Sequence, residues 1–208
     1  MALLQQFADL LSVITISLCF ILKIPQILNL ISLKSANEIS IKGLVAELIS
    51  YTLMTSYNFA NNYSLLSYLE YPIIIVQQYI LIFLVLKYSH KINLWSFSCA
   101  IIYFTLSRCL LLGTIPKSVL DNLVPICMPL STTSKICQLQ TILETKNAES
   151  ISLLTWFLSC FTNLTRVFTI LVESADVYLA GYFLISSILS LSIMASAFYY
   201  KYRPLKQE

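Results

Sequence analysis

Seven long apolar segments constrain most tightly what this chain can fold into. Each holds roughly 20 or more predominantly apolar residues, the length that an α-helix needs to cross the hydrocarbon of a bilayer. The segments are 7–31, 40–60, 65–87, 92–112, 118–143, 152–172 and 177–200. Backbone groups cannot stay unpaired in lipid, and these runs are too long for barrel strands. We therefore expect an all-α membrane protein with seven transmembrane helices.

The composition points to a membrane protein and argues against several other classes. Of the 208 residues, 58% are hydrophobic and 11% are charged, whereas a soluble domain usually carries about 25% charged residues. The net charge is only +3 and the basic residues are scattered, so we expect no nucleic-acid surface. The sequence shows no catalytic constellation, glycine-rich phosphate loop or metal-ligand cluster. We therefore expect neither an enzyme nor a bound cofactor or metal.

The distribution of lysine and arginine predicts the orientation, because cytosolic loops carry an excess of basic residues. With a lumenal N-terminus and a cytosolic C-terminus, Lys117 is the only basic residue in an outer loop. The residues then on the cytosolic side are Lys34, Lys42, Lys87, Lys91, Lys146, Lys201, Arg203 and Lys206. Asn62, which opens a glycosylation sequon, falls on the lumenal side. Without a large outer domain, we expect an internal membrane, with endoplasmic reticulum and lysosome both open.

A four-residue motif near the end of the first segment recurs in the fifth. Residues 23–26 read Lys-Ile-Pro-Gln and residues 135–138 read Lys-Ile-Cys-Gln, each followed by a polar stretch, 34–40 or 146–152. The copies are displaced by 112 positions (135 minus 23, and 152 minus 40) with no gap. Because four spans separate the copies, both point the same way across the membrane. Parallel repeats of this kind are related by an axis along the membrane normal.

The repeat predicts the organisation of the whole chain. We expect two parallel three-helix bundles joined by a linker helix that restores the direction. The boundaries are 7–87 for the first bundle, 92–112 for the linker, 118–200 for the second bundle and 201–208 for a cytosolic tail.

The Pro25-Gln26 pair, its echo Cys137-Gln138 and the three-plus-one-plus-three arrangement resemble the PQ-loop family. Residues 68–74, 134–140 and 154–156 are similar to its solute carrier 66 group, and residues 173–176, 180–181 and 186–187 to its mannose-phosphate-dolichol utilization branch. The resemblance covers nearly the whole chain. It implies SWEET-like paired bundles and a transporter-like membrane protein, without naming a cargo.

The two copies of the motif differ where a bend is expected. Proline removes a helical hydrogen bond, so the first helix should bend around Pro25 and leave a free carbonyl near residues 21 and 22. The freed groups could meet a solute or water, or Pro25 could only shape the packing. Cys137 stands where the family pattern has proline, so the second bend is missing there. The amides of Gln26 and Gln138 could bind a solute, bind each other or join helices.

Ionisable residues inside the helices give the sharper functional hypothesis, because charges are costly in hydrocarbon. Lys23 and Glu47 both lie roughly 10 to 12 Å deep and can form a pair. Lys135 reaches the same depth in the second repeat, but Ser159 stands where Glu47 has its counterpart. We expect one uncompensated positive charge beside a central cavity, suited to a carboxylate or phosphate. The alternative is that both lysines extend to the cytosolic headgroups.

Other polar residues in the spans are candidates for binding or coupling. Glu47 could couple transport to protons, although pairing with Lys23 opposes that role. Arg166 and Asn163, one helical turn apart, could form a gate, or Arg166 could extend to the headgroups. Gln77 is a candidate for cavity lining or core packing, and Glu70 is interpreted as structural at the start of its helix.

These observations predict a transporter that moves a small amino-acid-like or sugar-like solute by alternating access, with proton coupling as an option. The first two helices would face the fifth and sixth across the cavity. The alternative is a non-transporting factor of the endoplasmic reticulum that supports the use of dolichol-linked sugars in glycosylation. A homo-oligomer is compatible with either.

Overall fold

The computed structural model describes residues 2–62, 68–112, 115–173 and 177–202, and every regular element in these ranges is a helix. The first predicted segment forms two helices, α1 and α2, and each later segment forms one. Their bounds are α1 Ala2–Cys19, α2 Ile24–Leu33, α3 Ile41–Ala60, α4 Glu70–Tyr88, α5 Leu94–Leu111, α6 Lys117–Thr145, α7 Leu153–Glu173 and α8 Val177–Tyr202. The prediction of an all-α fold with seven spans is confirmed.

Five helical segments of the described residues are long and apolar enough to cross a membrane by length and composition alone: Val13–Leu33, which includes the end of α1 and all of α2, Glu70–Tyr88, Leu94–Leu111, Leu153–Val172 and Ala180–Tyr202. The other two spans, α3 and α6, have 20 and 29 residues but are more polar. These two helices pack against each other. They bury polar side chains that include Ser50, Ser56, Ser134, Lys135 and Gln138. Their polarity therefore belongs to the interior of the molecule.

The two halves of the chain repeat one arrangement. In the first half, α4 packs against α3 on one side and against α1 and α2 on the other. In the second half, α8 packs in the same way between α6 and α7. The halves meet where α3 contacts α6 and where α1 contacts α7, and the linker α5 packs against α3. The third helix of each bundle therefore lies between the first two.

The polar connectors 34–40 and 146–152 lie together on one face of the molecule, which we call the connector face. Lys34 and Lys146 end α2 and α6 in the left-handed conformation, with φ of 52° and 50°. The Ser40 hydroxyl accepts a hydrogen bond from the Gly43 N–H (3.2 Å), and Ser152 accepts one from the Thr155 N–H (3.3 Å). The repeat is therefore preserved in backbone conformation and helix capping.

An apolar core joins the two repeats on the connector side. Its most deeply buried members are Leu30, Val85, Ile142, Ala148, Ile151, Ile193 and Ala197. Leu30 and Ile142 are separated by the repeat offset of 112 positions (142 minus 30). The core closes this end of the molecule with packed side chains from both halves.

The first span breaks just before its proline, in the stretch where the bend around Pro25 was predicted. Residues 20–23 form turns, and Pro25 lies in the first turn of α2, where a missing N–H is tolerated. The break leaves the carbonyls of Cys19 and Phe20 to a side chain. Of the two positions near which a free carbonyl was predicted, residues 21 and 22, the Ile21 carbonyl accepts from the Ile24 N–H at 3.1 Å.

Gln77 of α4 fills this break. Its Nε2 donates to the carbonyls of Cys19 (2.8 Å) and Phe20 (3.1 Å), and its Oε1 accepts from the Lys23 N–H (2.8 Å). A side chain of the protein therefore pairs with backbone groups at the break, where we expected a solute or water to bind. In contrast, α6 runs without a break through Cys137 and contains Pro125 and Pro129.

Candidate functional site

A cavity of about 360 Å³ lies between the two repeats, within the size range of small-molecule sites. Its walls come from α1, α3, α4, α6, α7 and α8, so the third span of each repeat contributes beside the four expected spans. Among the predicted substrate or coupling residues, those that line it are Lys23, Glu47, Lys135, Asn163 and Arg166. The remaining one, Gln77, lies in the break of the first span.

An ion pair stands at the connector end of the cavity. Lys23 Nζ lies 2.7 Å from Glu47 Oε2, and both side chains are largely buried. The Glu47 carboxylate also accepts from the Tyr51 hydroxyl (3.0 Å) and from Gln78 Nε2 (3.2 Å). Lys23 therefore pairs inside the protein and does not extend to the headgroups.

Lys135, the counterpart of Lys23, has neutral partners. Its Nζ donates to the Ser186 carbonyl (3.1 Å), to the Ser186 hydroxyl (2.6 Å) and to the Ser190 hydroxyl (2.8 Å). Ser159 and Ser190 stand 112 positions after Glu47 and Gln78 (159 minus 47, and 190 minus 78), and their hydroxyls are 3.1 Å apart. The second repeat thus has serines in place of Glu47 and Gln78. Lys135 itself is buried, with 5% of its surface exposed.

A second ion pair joins the repeats at the opposite end of the cavity. Arg166 Nη2 of α7 lies 2.5 Å from Glu70 Oε2 of α4. Nearby, the hydroxyls of Thr15 and Thr165 are 2.9 Å apart and connect α1 to α7. Arg166 is therefore held within the protein. Asn163 bonds within its own helix, with Nδ2 donating to the Ser159 carbonyl at 2.5 Å.

The two motif glutamines each hold the connector of the other repeat. Gln26 Nε2 donates to the Ser150 carbonyl and its Oε1 accepts from the Ser152 N–H, both at 2.6 Å. Gln138 Nε2 donates to the Glu38 carbonyl (2.7 Å) and its Oε1 accepts from the Ser40 N–H (2.9 Å). Positions 38 and 40 are the repeat counterparts of 150 and 152, so the contacts are reciprocal. We call these four hydrogen bonds the glutamine brackets.

The glutamine brackets lie outside the large cavity. Gln26 and Gln138 line a separate void of about 30 Å³, which is large enough for a water molecule. Both ends of each amide are used by backbone groups. The motif glutamines therefore join the repeats in this conformation and leave the cavity to other side chains.

Two acidic residues, one in the cavity and one in a connector, were not predicted to be functional from the sequence. Glu70 was interpreted as structural, yet it is the partner of Arg166. Glu38, in the first connector, is 3% exposed, and its Oε2 has no hydrogen-bond partner among the described residues. Comparison of the repeats could have found Glu38, because its counterpart is the neutral Ser150.

Asn62 is exposed at the end of α3, away from the connector face, while residues 63 and 64 of its sequon lie outside the described residues.

Comparisons with known proteins agree with this architecture. The family model for the PQ loop repeat matches residues 7–67, which include the broken first span, Pro25-Gln26 and α3. Human solute carrier family 66 member 3 is 29% identical over 194 residues, which cover 93% of this chain and 94% of the relative. The predicted resemblance to the PQ-loop family and to its solute carrier 66 group is confirmed. The chain is a multi-pass membrane protein with a PQ-loop repeat, similar over nearly all of its length to a human member of solute carrier family 66.

Proposed function

We propose that this protein moves a small organic solute across an internal membrane by alternating access through the cavity between its repeats. The observation that carries the proposal is the cavity of about 360 Å³, enclosed between two pseudo-symmetric bundles and lined by buried charges at both ends. Side chains of this kind inside a membrane protein usually mark a path for a solute or ion. The human relative is named a solute carrier, which agrees with this class.

Each end of the cavity has its own closure. The glutamine brackets and the apolar core join the repeats on the connector side, and the Arg166–Glu70 pair with the Thr15–Thr165 contact joins them at the opposite end. In alternating access, the repeats would rock apart at one end while the other end stays joined. Each of the four bracket hydrogen bonds contributes about 0.5–1.5 kcal/mol to stability. Their sum is comparable to the few kcal/mol of free energy that separate two interconverting conformations of a protein.

We also propose an orientation of the protein in the membrane. Lys34, Lys42 and Lys146 lie at the connector face, so we place that face in the cytosol and the N-terminus in the lumen. The residence would be the endoplasmic reticulum or the lysosome. Proton coupling through Glu47 would require its pair with Lys23 to separate, because a protonated acid cannot keep an ion pair.

The proposal is tested by flux into proteoliposomes from a metabolite extract, read by mass spectrometry of the liposome contents. At least one small metabolite should accumulate above the level in empty liposomes. As a matched control, Asn29→Cys and Glu149→Cys are introduced into a protein without the native cysteines and joined by a short bifunctional maleimide. The two positions are close, because the Asn29 amide donates to the Glu149 carbonyl at 2.9 Å. The joined protein should carry nothing, and the same variant without the reagent should retain flux.

The alternative function gives a different result. No flux of any metabolite, together with a glycosylation defect in cells that lack the protein, would contradict transport. That outcome would support a non-transporting factor for dolichol-linked sugars.

A further inference from the structure

We propose that the solute is a small organic anion, held by a carboxylate or phosphate beside Lys135 and the Ser186 hydroxyl. The inference rests on the proposed function only for the statement that the cavity admits a solute. The charge of the cavity can be measured separately.

The charges that line the cavity do not balance. Its described lining contains three cations, Lys23, Lys135 and Arg166, and two acids, Glu47 and Glu70. Two contacts pair Lys23 with Glu47 and Arg166 with Glu70. Three minus two leaves one positive charge, and Lys135 is the cation without an ion pair at contact distance.

Glu47 does not neutralise Lys135. The acid is within electrostatic range of Lys135, but its oxygens are taken by Lys23, Tyr51 and Gln78. One carboxylate shared by two ammonium groups leaves the trio with a net positive charge. The connector end of the cavity is therefore positive, whichever lysine the acid favours.

The hydrogen bonds of Lys135 fit a charged amine. An ammonium group has three N–H donors and no acceptor, and Lys135 Nζ has three oxygen partners. The Ser190 hydroxyl donates to the Ser186 carbonyl at 2.9 Å, so it can only accept from Lys135. The Ser186 hydroxyl also accepts from Lys135 and keeps its own proton to donate to a solute.

An anion complements this arrangement better than a neutral or cationic solute does. A buried charge without a counter-charge is strongly unfavourable, and an anionic solute supplies the counter-charge when it enters. A neutral sugar would leave the charge uncompensated, and a cationic solute would add a second positive charge. The aromatic rings of Tyr71, Trp156 and Phe183 provide apolar surface for the rest of the molecule.

The charge is measured with two thiol reagents of similar size and opposite charge. A variant without the native cysteines carries Ser131→Cys, which lines the cavity one helical turn before Lys135. The probes are sulfonatoethyl methanethiosulfonate (negative) and trimethylammonioethyl methanethiosulfonate (positive). With each, the cysteine thiolate attacks the sulfenyl sulfur, a mixed disulfide forms and methanesulfinate leaves. The ratio of the two rates is divided by the same ratio for 2-mercaptoethanol in solution.

The normalised ratio should favour the negative reagent by at least about fivefold, the effect of a unit charge roughly 7 Å away even at the dielectric constant of water. Lys135→Met should return the ratio toward one, and Lys135→Arg should keep it. Glu47→Gln should raise it, which gives a second measurement should Lys135→Met fail to fold.

The outcomes separate this inference from the proposed function. A normalised ratio at or below one with rapid labelling, or a ratio unchanged by Lys135→Met, would overturn the anion inference alone. Failure of both reagents to reach the cysteine in the folded protein, while both label it after unfolding, would show that the cavity admits no solute. The proposed function would then fail as well.

Discussion

At the scale of single residues, the motif glutamines are the main polar links between the repeats on the connector side. We expect Gln26→Leu and Gln138→Leu each to lower the free energy of unfolding by about 2–4 kcal/mol. Each change leaves a buried N–H and a buried carbonyl of the facing connector without a partner. Melting in detergent measures the effect.

The matched control is Gln140→Leu, because Gln140 is an exposed amide on the same helix as Gln138. It should change the melting temperature little. Losses at Gln26 and Gln138 no larger than at Gln140 would mean that the brackets do not join the repeats in solution.

Glu38 offers a change that should stabilise the protein. At the equivalent position, the Ser150 hydroxyl donates to the Ser35 carbonyl at 2.8 Å, whereas the Glu38 carboxylate has a buried oxygen that meets no partner in the part of the chain that the structure describes. Glu38→Ser should therefore raise the free energy of unfolding by about 1–2 kcal/mol, since an unsatisfied buried group is removed. Glu149→Ser, at an exposed connector position, is the control in the same melting assay. A lower melting temperature for Glu38→Ser would refute this interpretation.

At the scale of helices, the bend in the first span depends more on Gln77 than on proline. Pro25 lies in the first turn of α2, where its missing N–H costs little, so Pro25→Ala should change stability by less than about 1 kcal/mol. Gln77→Leu should cost about 2–4 kcal/mol, because it leaves the carbonyls of Cys19 and Phe20 and the Lys23 N–H unpaired. The melting temperatures of the two variants show which change destabilises the protein more. A larger loss for Pro25→Ala would restore the proline as the cause of the bend.

The crossing of α3 and α6 should tolerate no added methyl group at Gly43. A Cβ there would lie 2.7 Å from the backbone carbonyl oxygen of Ser134, which cannot move without shifting α6. Gly43→Ala should therefore separate the helices and destabilise the protein by about 1–3 kcal/mol. Gly181→Ala is the matched control, because a Cβ at Gly181 meets nothing within 4 Å. Equal melting temperatures for the two variants would contradict the close crossing.

At the scale of the whole molecule, the sequence predicts the framework well. Apolar length determines the number of spans, and the repeat of 112 positions carries over to the left-handed Lys34 and Lys146 and to the paired connectors. Both signals are local or periodic, so they can be read without knowing which helices touch.

Apart from the Lys23–Glu47 pair, which matched depths predicted, the side-chain partners could not be predicted in the same way, because they depend on which spans are neighbours. Gln77 of α4 forms hydrogen bonds with the first span, and Lys135 of α6 donates hydrogen bonds to serines of α8. Glu70 pairs with Arg166, 96 positions away in the chain. Hydropathy does not give these neighbours, which is why the predicted free carbonyl and the structural interpretation of Glu70 were incomplete.

The central claim, that the repeats separate and rejoin at the connector face, is tested most directly by a distance between the two connectors. Asn37 and Glu149 are exposed there and are repeat counterparts (149 minus 37 is 112). Spin labels on Asn37→Cys and Glu149→Cys, in a cysteine-free protein in nanodiscs, report that distance by double electron–electron resonance. We predict two distances, with the longer one more populated when Gln26→Leu removes two of the four hydrogen bonds of the glutamine brackets. A single narrow distance that Gln26→Leu leaves unchanged would contradict the account.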